Sequence, residues 1–225
     1  MTRGSGVEDG SGAPGEPRRR RRHSKLVSVL VVFAVVLLAG VGLFVWGYFQ
    51  PKPAGFAPVD PDEPGVVTEA WTRYTIDARG RDEWVFFDFG QGRTVDTTFS
   101  GDDWDLAFKR TGLLTSSGVT NPDGSGGAIN LGEIPLEDAA VPPSATFVVD
   151  KLGGEDEDEP TNPAISDWYT YSFLTHTVHA KDNTYLVRGG DNSDALVHFD
   201  SYYCEDEEPT CITFRYRLVQ TDRTL

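Results

Sequence analysis

One apolar stretch, which begins at Leu26 and ends at Trp46, limits the fold of this chain more than any other feature. No charged residue occurs between Lys25 and Lys52. At about 1.5 Å of rise per residue, a helix of this length spans roughly 31 Å, enough to cross the hydrocarbon core of a bilayer. The apolar region of a signal peptide is usually only about 7–15 residues long. We therefore predict a single transmembrane helix over residues 26–47.

The residues that flank this stretch predict its orientation. Five consecutive arginines, at 18–22, precede it together with Lys25. Lys and Arg are enriched on the cytoplasmic side of membrane helices. Because residues 1–25 also have no apolar periodicity, we expect a disordered, basic cytoplasmic tail, with the rest of the chain extracytoplasmic at the cell membrane. Small residues such as Ala39 and Gly42 leave a cleaved signal peptide open as the alternative.

The chain after the apolar stretch is strongly acidic. From Pro51 onward it has 13 basic and 32 acidic side chains, a net charge of −19, against −15 for the whole chain. Nucleic acids and anionic lipid surfaces are bound by basic patches, so we expect no nucleic-acid partner. The chain has no G-x-S-x-G, H-E-x-x-H or P-loop motif, so we predict that it is not an enzyme. No cluster of residues predicts a metal-ion site.

The patterning after the apolar stretch indicates β-structure. Residues 48–67 contain five prolines and predict a stiff, Pro-rich linker. Residues 68–225 are rich in aromatic and β-branched residues between turn signals, which predicts an all-β domain of many short antiparallel strands. Residues 84–89 are nearly all apolar and predict a strand buried on both faces, and residues 146–150 predict a short strand. Alternation over 212–219 predicts a final strand with apolar residues on one face and Thr213, Arg215 and Arg217 on the other.

The two cysteines, Cys204 and Cys211, lie near the end of the extracytoplasmic part and are separated by six residues. An even pair of cysteines in an oxidising compartment most often forms a disulfide. Strand-like stretches flank both cysteines. We therefore predict a disulfide that closes a β-hairpin.

Three stretches in this order resemble the HmuY family of haem-binding proteins. They are WDLAFKR at 104–110, YLVRGGD at 185–191 and ITFRY at 212–216. The resemblance extends over roughly residues 68–219, and it implies an all-β fold with loops at one end that clasp a haem. The resemblance implies haem as cofactor, and together with the apolar stretch it predicts a membrane-anchored extracytoplasmic ligand-binding protein. The alternative is an interaction module of the cell envelope that has this fold, binds a protein partner and does not bind haem. From strand alternation alone, Trp104 is expected to share one face with Leu106 and Phe108.

The same resemblance implies that two histidines hold the haem iron, one on each side of the ring. His176 and His179 are the candidates from the region that supplies one ligand in the family, with His176 the better one. Residues 151–167, where the other ligand is expected, contain no histidine. Ligation by a single histidine, or by a histidine together with Tyr169 or Tyr171, therefore stays open.

Overall fold

The computed structural model describes residues 20–80, 82–153 and 157–219. The chain divides into two units, Met1–Phe49 and Gln50–Leu225. The first contains helix α1, Arg20–Tyr48. Within it, Lys25–Tyr48 has a mean hydropathy of 3.0 and is long and apolar enough to cross a membrane, a test that a signal sequence also meets. The disordered tail predicted at the N-terminus lies mostly outside the described residues.

The second unit is built almost entirely from short strands, which confirms the predicted all-β fold. In the described residues the strands are β1 (Val66–Val67), β2 (Thr72–Asp77), β3 (Val85–Asp88), β4 (Arg93–Val95), β5 (Leu106–Lys109), β6 (Gly112–Thr115), β7 (Gly127–Gly132), β8 (Lys151–Leu152), β9 (Pro160–Thr161), β10 (Tyr169–Ser172), β11 (Thr177–Ala180), β12 (Thr184–Arg188), β13 (Asp194–Tyr203) and β14 (Pro209–Val219).

The strands form two larger sheets and two hairpins. The six-stranded sheet has the order β1-β2-β14-β13-β12-β7, and the four-stranded sheet has the order β4-β3-β5-β6. Strands β8 and β9 form one separate hairpin, and β10 and β11 form the other. All these pairings are antiparallel.

Aromatic side chains from both larger sheets meet in the main core. Phe214 of β14 stacks on Phe108 of β5, with their ring centroids 5.4 Å apart, and meets Phe87 of β3 edge-on at 5.1 Å. All three rings are fully buried. Burial of each such side chain contributes about 1.5–3 kcal/mol, so this contact between the sheets is a principal source of stability.

Trp104 lies on the other side of the four-stranded sheet from the position expected for it. Leu106 and Phe108 belong to the main core, whereas Trp104 packs against Phe86 at 5.1 Å in a second cluster. Strand β5 begins only at Leu106, so the alternation of a strand does not extend back to Trp104. The expectation of one shared face is therefore wrong for this residue.

The proline-rich segment belongs to the second unit and runs along its strands. The backbone N–H of Phe56 donates to the carbonyl of Tyr203 at 3.0 Å, and the N–H of Val59 donates to that of Thr75 at 3.0 Å. Proline has no N–H, but it leaves the carbonyls and the neighbouring N–H groups available. This proline-rich chain can therefore lie hydrogen-bonded at the edge of a sheet.

Cys204 and Cys211 form a disulfide across the hairpin that joins β13 to β14. Both residues are buried. Cys204 also forms a parallel bridge with Phe56, so the disulfide lies where the proline-rich segment meets the sheet.

A buried carboxylate links the two larger sheets. Asp105 accepts a hydrogen bond from the backbone N–H of Phe89 at 2.7 Å and one from the N–H of Gly190 at 3.1 Å. Phe89 follows β3, whereas Gly190 lies in the turn between β12 and β13. A Cβ at Gly189 would collide with this carboxylate, so glycine is required there for the close approach. Two of the stretches that resemble the HmuY family thus meet at one side chain.

The Asp105 carboxyl should make the free energy of unfolding depend on pH. Burial raises the pKa of Asp105 from 3.8 to about 7. The folded protein therefore keeps a proton that the unfolded chain releases, and the stability from that proton is fully present below about pH 4 and lost as pH rises through about 7. The difference between these two pKa values corresponds to about 4 kcal/mol in the free energy of unfolding.

We expect the free energy of unfolding of the wild type, minus that of Asp105→Asn, to fall by about 4 kcal/mol between about pH 4 and pH 8. Urea unfolding at each pH measures it. The exposed neighbour Asp102, changed to Asn, is the control and should leave the difference flat. A flat difference for Asp105→Asn as well would show that this carboxyl has the same pKa in the folded and unfolded states.

Candidate functional site

A groove of about 1000 Å³ opens between several separate segments of the second unit. Its lining comes from the turn between β5 and β6, from the β8–β9 hairpin, from β10 and β11, and from the end of β13. Three tyrosines, Tyr169, Tyr171 and Tyr202, line it. We call it the tyrosine groove. Ligand sites in proteins commonly have volumes of about 300–1,000 Å³, so this groove is large enough for a small-molecule ligand.

The tyrosines reach the groove because of strand alternation. Tyr169 and Tyr171 are two residues apart on β10, so they lie on the same face. Val178 of β11 lies directly opposite Tyr171 and also lines the groove. Tyr202 comes from β13, and burial raises its pKa to about 12, so it is a neutral phenol at physiological pH. The groove thus has flat, apolar ring faces and phenol oxygens on one wall.

Cationic side chains line the same groove. Lys109, Arg110 and Lys151 contribute positive charge, and Glu159 is the acidic residue among the described lining residues. The Lys109 ammonium lies 5.0 Å from the centre of the Trp84 ring and 3.9 Å from Oε1 of Glu159. This local excess of cations stands out in a unit whose net charge is strongly negative, and it favours an anionic ligand.

Arg110 is held in an unusual backbone conformation at the rim of the groove. Its φ is 55°, in the left-handed region that non-glycine residues rarely adopt. A residue in this region costs of order 1–3 kcal/mol unless its surroundings compensate, and such residues cluster at functional sites. Two-residue hairpin turns commonly require a positive φ, so this conformation belongs to the tight turn between β5 and β6.

A buried polar network holds the β8–β9 wall of the groove. Asp150, just before β8, accepts hydrogen bonds from Oγ1 of Thr115 at 2.7 Å and from Nδ2 of Asn162 at 2.9 Å. It also accepts from the backbone N–H of Thr115. Burial raises the pKa of Asp150, and these hydrogen bonds oppose that effect. Asp150 and Asn162 flank the hairpin in sequence, so the network fixes both ends of this wall.

The two histidine candidates lie on the β10–β11 hairpin but in different positions. His179 is on β11 opposite Thr170, so it lies on the face away from the groove, and its Nε2 is 2.8 Å from Oγ1 of Thr177. His176 is in the turn between the two strands, with Nδ1 2.8 Å from the Tyr171 hydroxyl. Neither imidazole lines the groove, and His176 reaches it only through Tyr171.

His198 is the third histidine of the second unit. It is nearly buried on β13, and burial lowers its pKa. It does not line the groove. Among the residues that the structure describes, no three His, Cys, Asp or Glu side chains lie together in a way that would hold a bare metal ion.

Sequence reasoning named Tyr169 and Tyr171 as partners of a histidine but missed the cations and Tyr202. Lys109 and Arg110 end the WDLAFKR stretch, and the turn after this stretch was the sequence signal that could have pointed to them as binding residues. Nothing local distinguishes Lys151 or Tyr202, because they enter the groove only through the tertiary pairing of distant strands.

The second unit of the chain is similar to one known protein family. The HmuY protein family profile matches residues 80–216, which is more than half of the chain. No curated protein matches the chain.

Solved structures show the same fold at low identity. The apo HmuY analog of Tannerella forsythia has a TM-score of 0.52 and 17% identity, and the match covers 67% of this chain and 96% of that chain. Apo PinO of Porphyromonas gingivitis has a TM-score of 0.54 and 15% identity, with 68% and 99% covered. A protein of Bacteroides vulgatus assigned as HmuY-like and heme-binding has a TM-score of 0.52 and 19% identity, with 72% and 96% covered.

The polar network behind the groove wall predicts a large cost for one substitution. Asp150→Ala leaves buried donors of Thr115 and Asn162 without their acceptor, so we expect a loss of about 3 kcal/mol in the free energy of unfolding. Urea unfolding measures it. Asp158→Ala, an exposed carboxylate in the same hairpin, is the matched control and should change stability by about 0.5 kcal/mol or less. Equal losses for the two variants would contradict the structural role of Asp150.

Proposed function

Because this chain belongs to the HmuY family, we propose that it binds haem in the tyrosine groove and acts as a binding protein without catalytic activity. The observation that carries the proposal is the meeting of three cations and three tyrosines in one groove of an otherwise acidic unit. Haem is a large, flat, mostly apolar ring that carries two carboxylates. The groove offers a matching surface for each part of it.

The residues present fit such a ligand. Lys109, Arg110 and Lys151 supply positive charge for the two propionate groups, as amine and guanidinium groups do for carboxylates elsewhere. The ring of Tyr169 offers a flat surface on which a porphyrin packs. When bound, haem would supply an iron centre whose behaviour is set chiefly by its axial ligand. In this chain the protein's part is to bind the ring, orient it and neutralise its carboxylates.

We propose further that the protein is anchored in the cell membrane by the stretch from Leu26 to Trp46. In this arrangement residues 1–25 are cytoplasmic, and residues 68–225 form the extracytoplasmic ligand-binding domain. The disulfide between Cys204 and Cys211 supports the orientation, because disulfides persist in oxidising compartments. A haem binder tethered in this way holds its ligand at the membrane surface.

The alternative function, an envelope interaction module that does not bind haem, also has an observation in its favour. Phe173 at the tip of the β10–β11 hairpin is 83% exposed, and Leu174 beside it is 42% exposed. Exposed apolar side chains at a loop tip are typical of contact with a protein partner. Haem titration separates the two hypotheses.

Haem binding is tested by titrating the full chain, purified in detergent, with haemin. We expect a shifted and saturable Soret band. Reversal of two groove charges, Lys109→Glu with Lys151→Glu, should weaken haemin affinity about tenfold, because each exposed charge pair contributes up to about 1 kcal/mol.

The matched control for that variant is Lys181→Glu. Lys181 pairs with Asp167 and does not line the groove, so its reversal should leave haemin affinity unchanged. A wild type without a Soret shift would remove the haem proposal and favour the interaction module. Equal losses for groove and control variants would place the binding outside the groove.

Membrane anchoring and orientation make a separate prediction. The chain should sediment with membranes and resist alkaline extraction, because a helix of this length inserts stably. Protease added from outside should digest the second unit, while an N-terminal epitope tag stays protected. A mature N-terminus beyond Gly42 would instead identify the stretch as a cleaved signal peptide.

A further inference from the structure

We propose that Tyr171 is the axial ligand of haem iron in this protein, and that His176 is the positioning residue that directs the Tyr171 hydroxyl. This inference rests on the proposed function and deepens it. It departs from the ligation by two histidines that the family resemblance implies, and it gives His176 a role other than that of a direct ligand.

The tyrosine and histidine side chains that could bind iron differ in their position relative to the groove. No histidine among the described residues lines it, whereas Tyr171 does. His179 faces the opposite side of the hairpin, because its partner Thr170 alternates with Tyr171 along β10. Tyrosine is an established axial ligand of haem iron in proteins. Strand alternation therefore places Tyr171, rather than His179, on the face that lines the groove.

The contact with His176 distinguishes Tyr171 from the other tyrosines of the groove. Its hydroxyl lies 2.8 Å from Nδ1 of His176, a normal hydrogen-bond distance. With the proton of the neutral imidazole on Nε2, Nδ1 accepts this hydrogen bond. Tyr202 is only 6% exposed, whereas Tyr171 is 43% exposed, so Tyr171 is the more accessible of the two to a ligand. The Tyr171–His176 pair thus combines a groove-lining phenol with a base next to it.

His176 also has an uncommon backbone conformation. Its φ is 54°, in the left-handed region, within the turn that follows β10. Histidine adopts this region more readily than most residues, but the conformation still has a cost. That conformation belongs to the turn that carries the imidazole to the Tyr171 hydroxyl.

The protons balance in this arrangement. On binding ferric iron, Tyr171 would release the proton of its Oη–H bond to Nδ1 of His176, and its oxygen would supply an electron pair to the iron. No oxidant or reductant is needed. An anionic oxygen ligand favours the ferric over the ferrous state, so this pair would hold ferric haem in preference to ferrous haem.

The test compares two porphyrins on matched variants of the full chain. Tyr171→Phe keeps the ring and removes the oxygen, and we expect it to weaken haemin binding on the order of 100-fold while leaving metal-free protoporphyrin IX within about twofold. His176→Asn, which tolerates the left-handed backbone, should weaken haemin by about tenfold because partners of metal ligands typically contribute 10–100-fold. His179→Asn is the control and should change neither affinity.

A spectroscopic readout accompanies the affinities. The wild type with haemin should show a high-spin ferric signal in electron paramagnetic resonance and a tyrosinate-to-iron charge-transfer band, which Tyr171→Phe abolishes. A low-spin signal that His176→Asn or His179→Asn removes would overturn the inference in favour of histidine ligation. Equal loss of haemin and protoporphyrin IX affinity in Tyr171→Phe would overturn it too, because the residue would then act by packing alone.

Failure of this inference is distinguishable from failure of the proposed function. If wild type binds haemin and Tyr171→Phe binds it equally well with the same spectrum, the ligand assignment is wrong and haem binding stands. If wild type binds neither haemin nor protoporphyrin IX, the proposed function fails and the assignment fails with it.

Discussion

The hydrogen bonds accepted by Asp105 connect the parts of the structure on which the groove depends. This buried carboxylate holds the N–H of Phe89, beyond β3, and the N–H of Gly190, in the turn after β12. It lies just before β5, and β5 ends at Lys109, which lines the groove. A carboxylate that is buried with few partners stays protonated more easily, and its raised pKa is the electrostatic cost of tying the two sheets together.

Sequence patterning predicted the elements in which one side of a strand is clearly apolar. The alternation of Ile212, Phe214 and Tyr216 with polar neighbours predicted β14, and all three side chains lie in the main core. Patterning failed where a strand starts or stops. Residues 146–150 form only an isolated bridge, between Val148 and Ala128, and Trp104 precedes the strand whose face it was expected to share.

The groove itself was beyond sequence reasoning for a physical reason. Its lining comes from segments that are far apart in the chain, and local periodicity carries no information about which strands pair across such distances. The roles of His176 and His179 likewise depend on the register of the β10–β11 hairpin. Because Tyr171 pairs with Val178, the next residue, His179, lies on the other face, whereas the turn returns His176 to Tyr171.

We propose that haem binds in the tyrosine groove. A crystal structure of the chain grown with haemin would show directly whether it does. Anomalous scattering at the iron edge would locate the metal without reference to any assumed ligand. We expect one iron peak within bonding distance of the Tyr171 oxygen, with the propionates near Lys109 and Arg110. An iron peak outside the groove, or bound by His179 or His198, would contradict it.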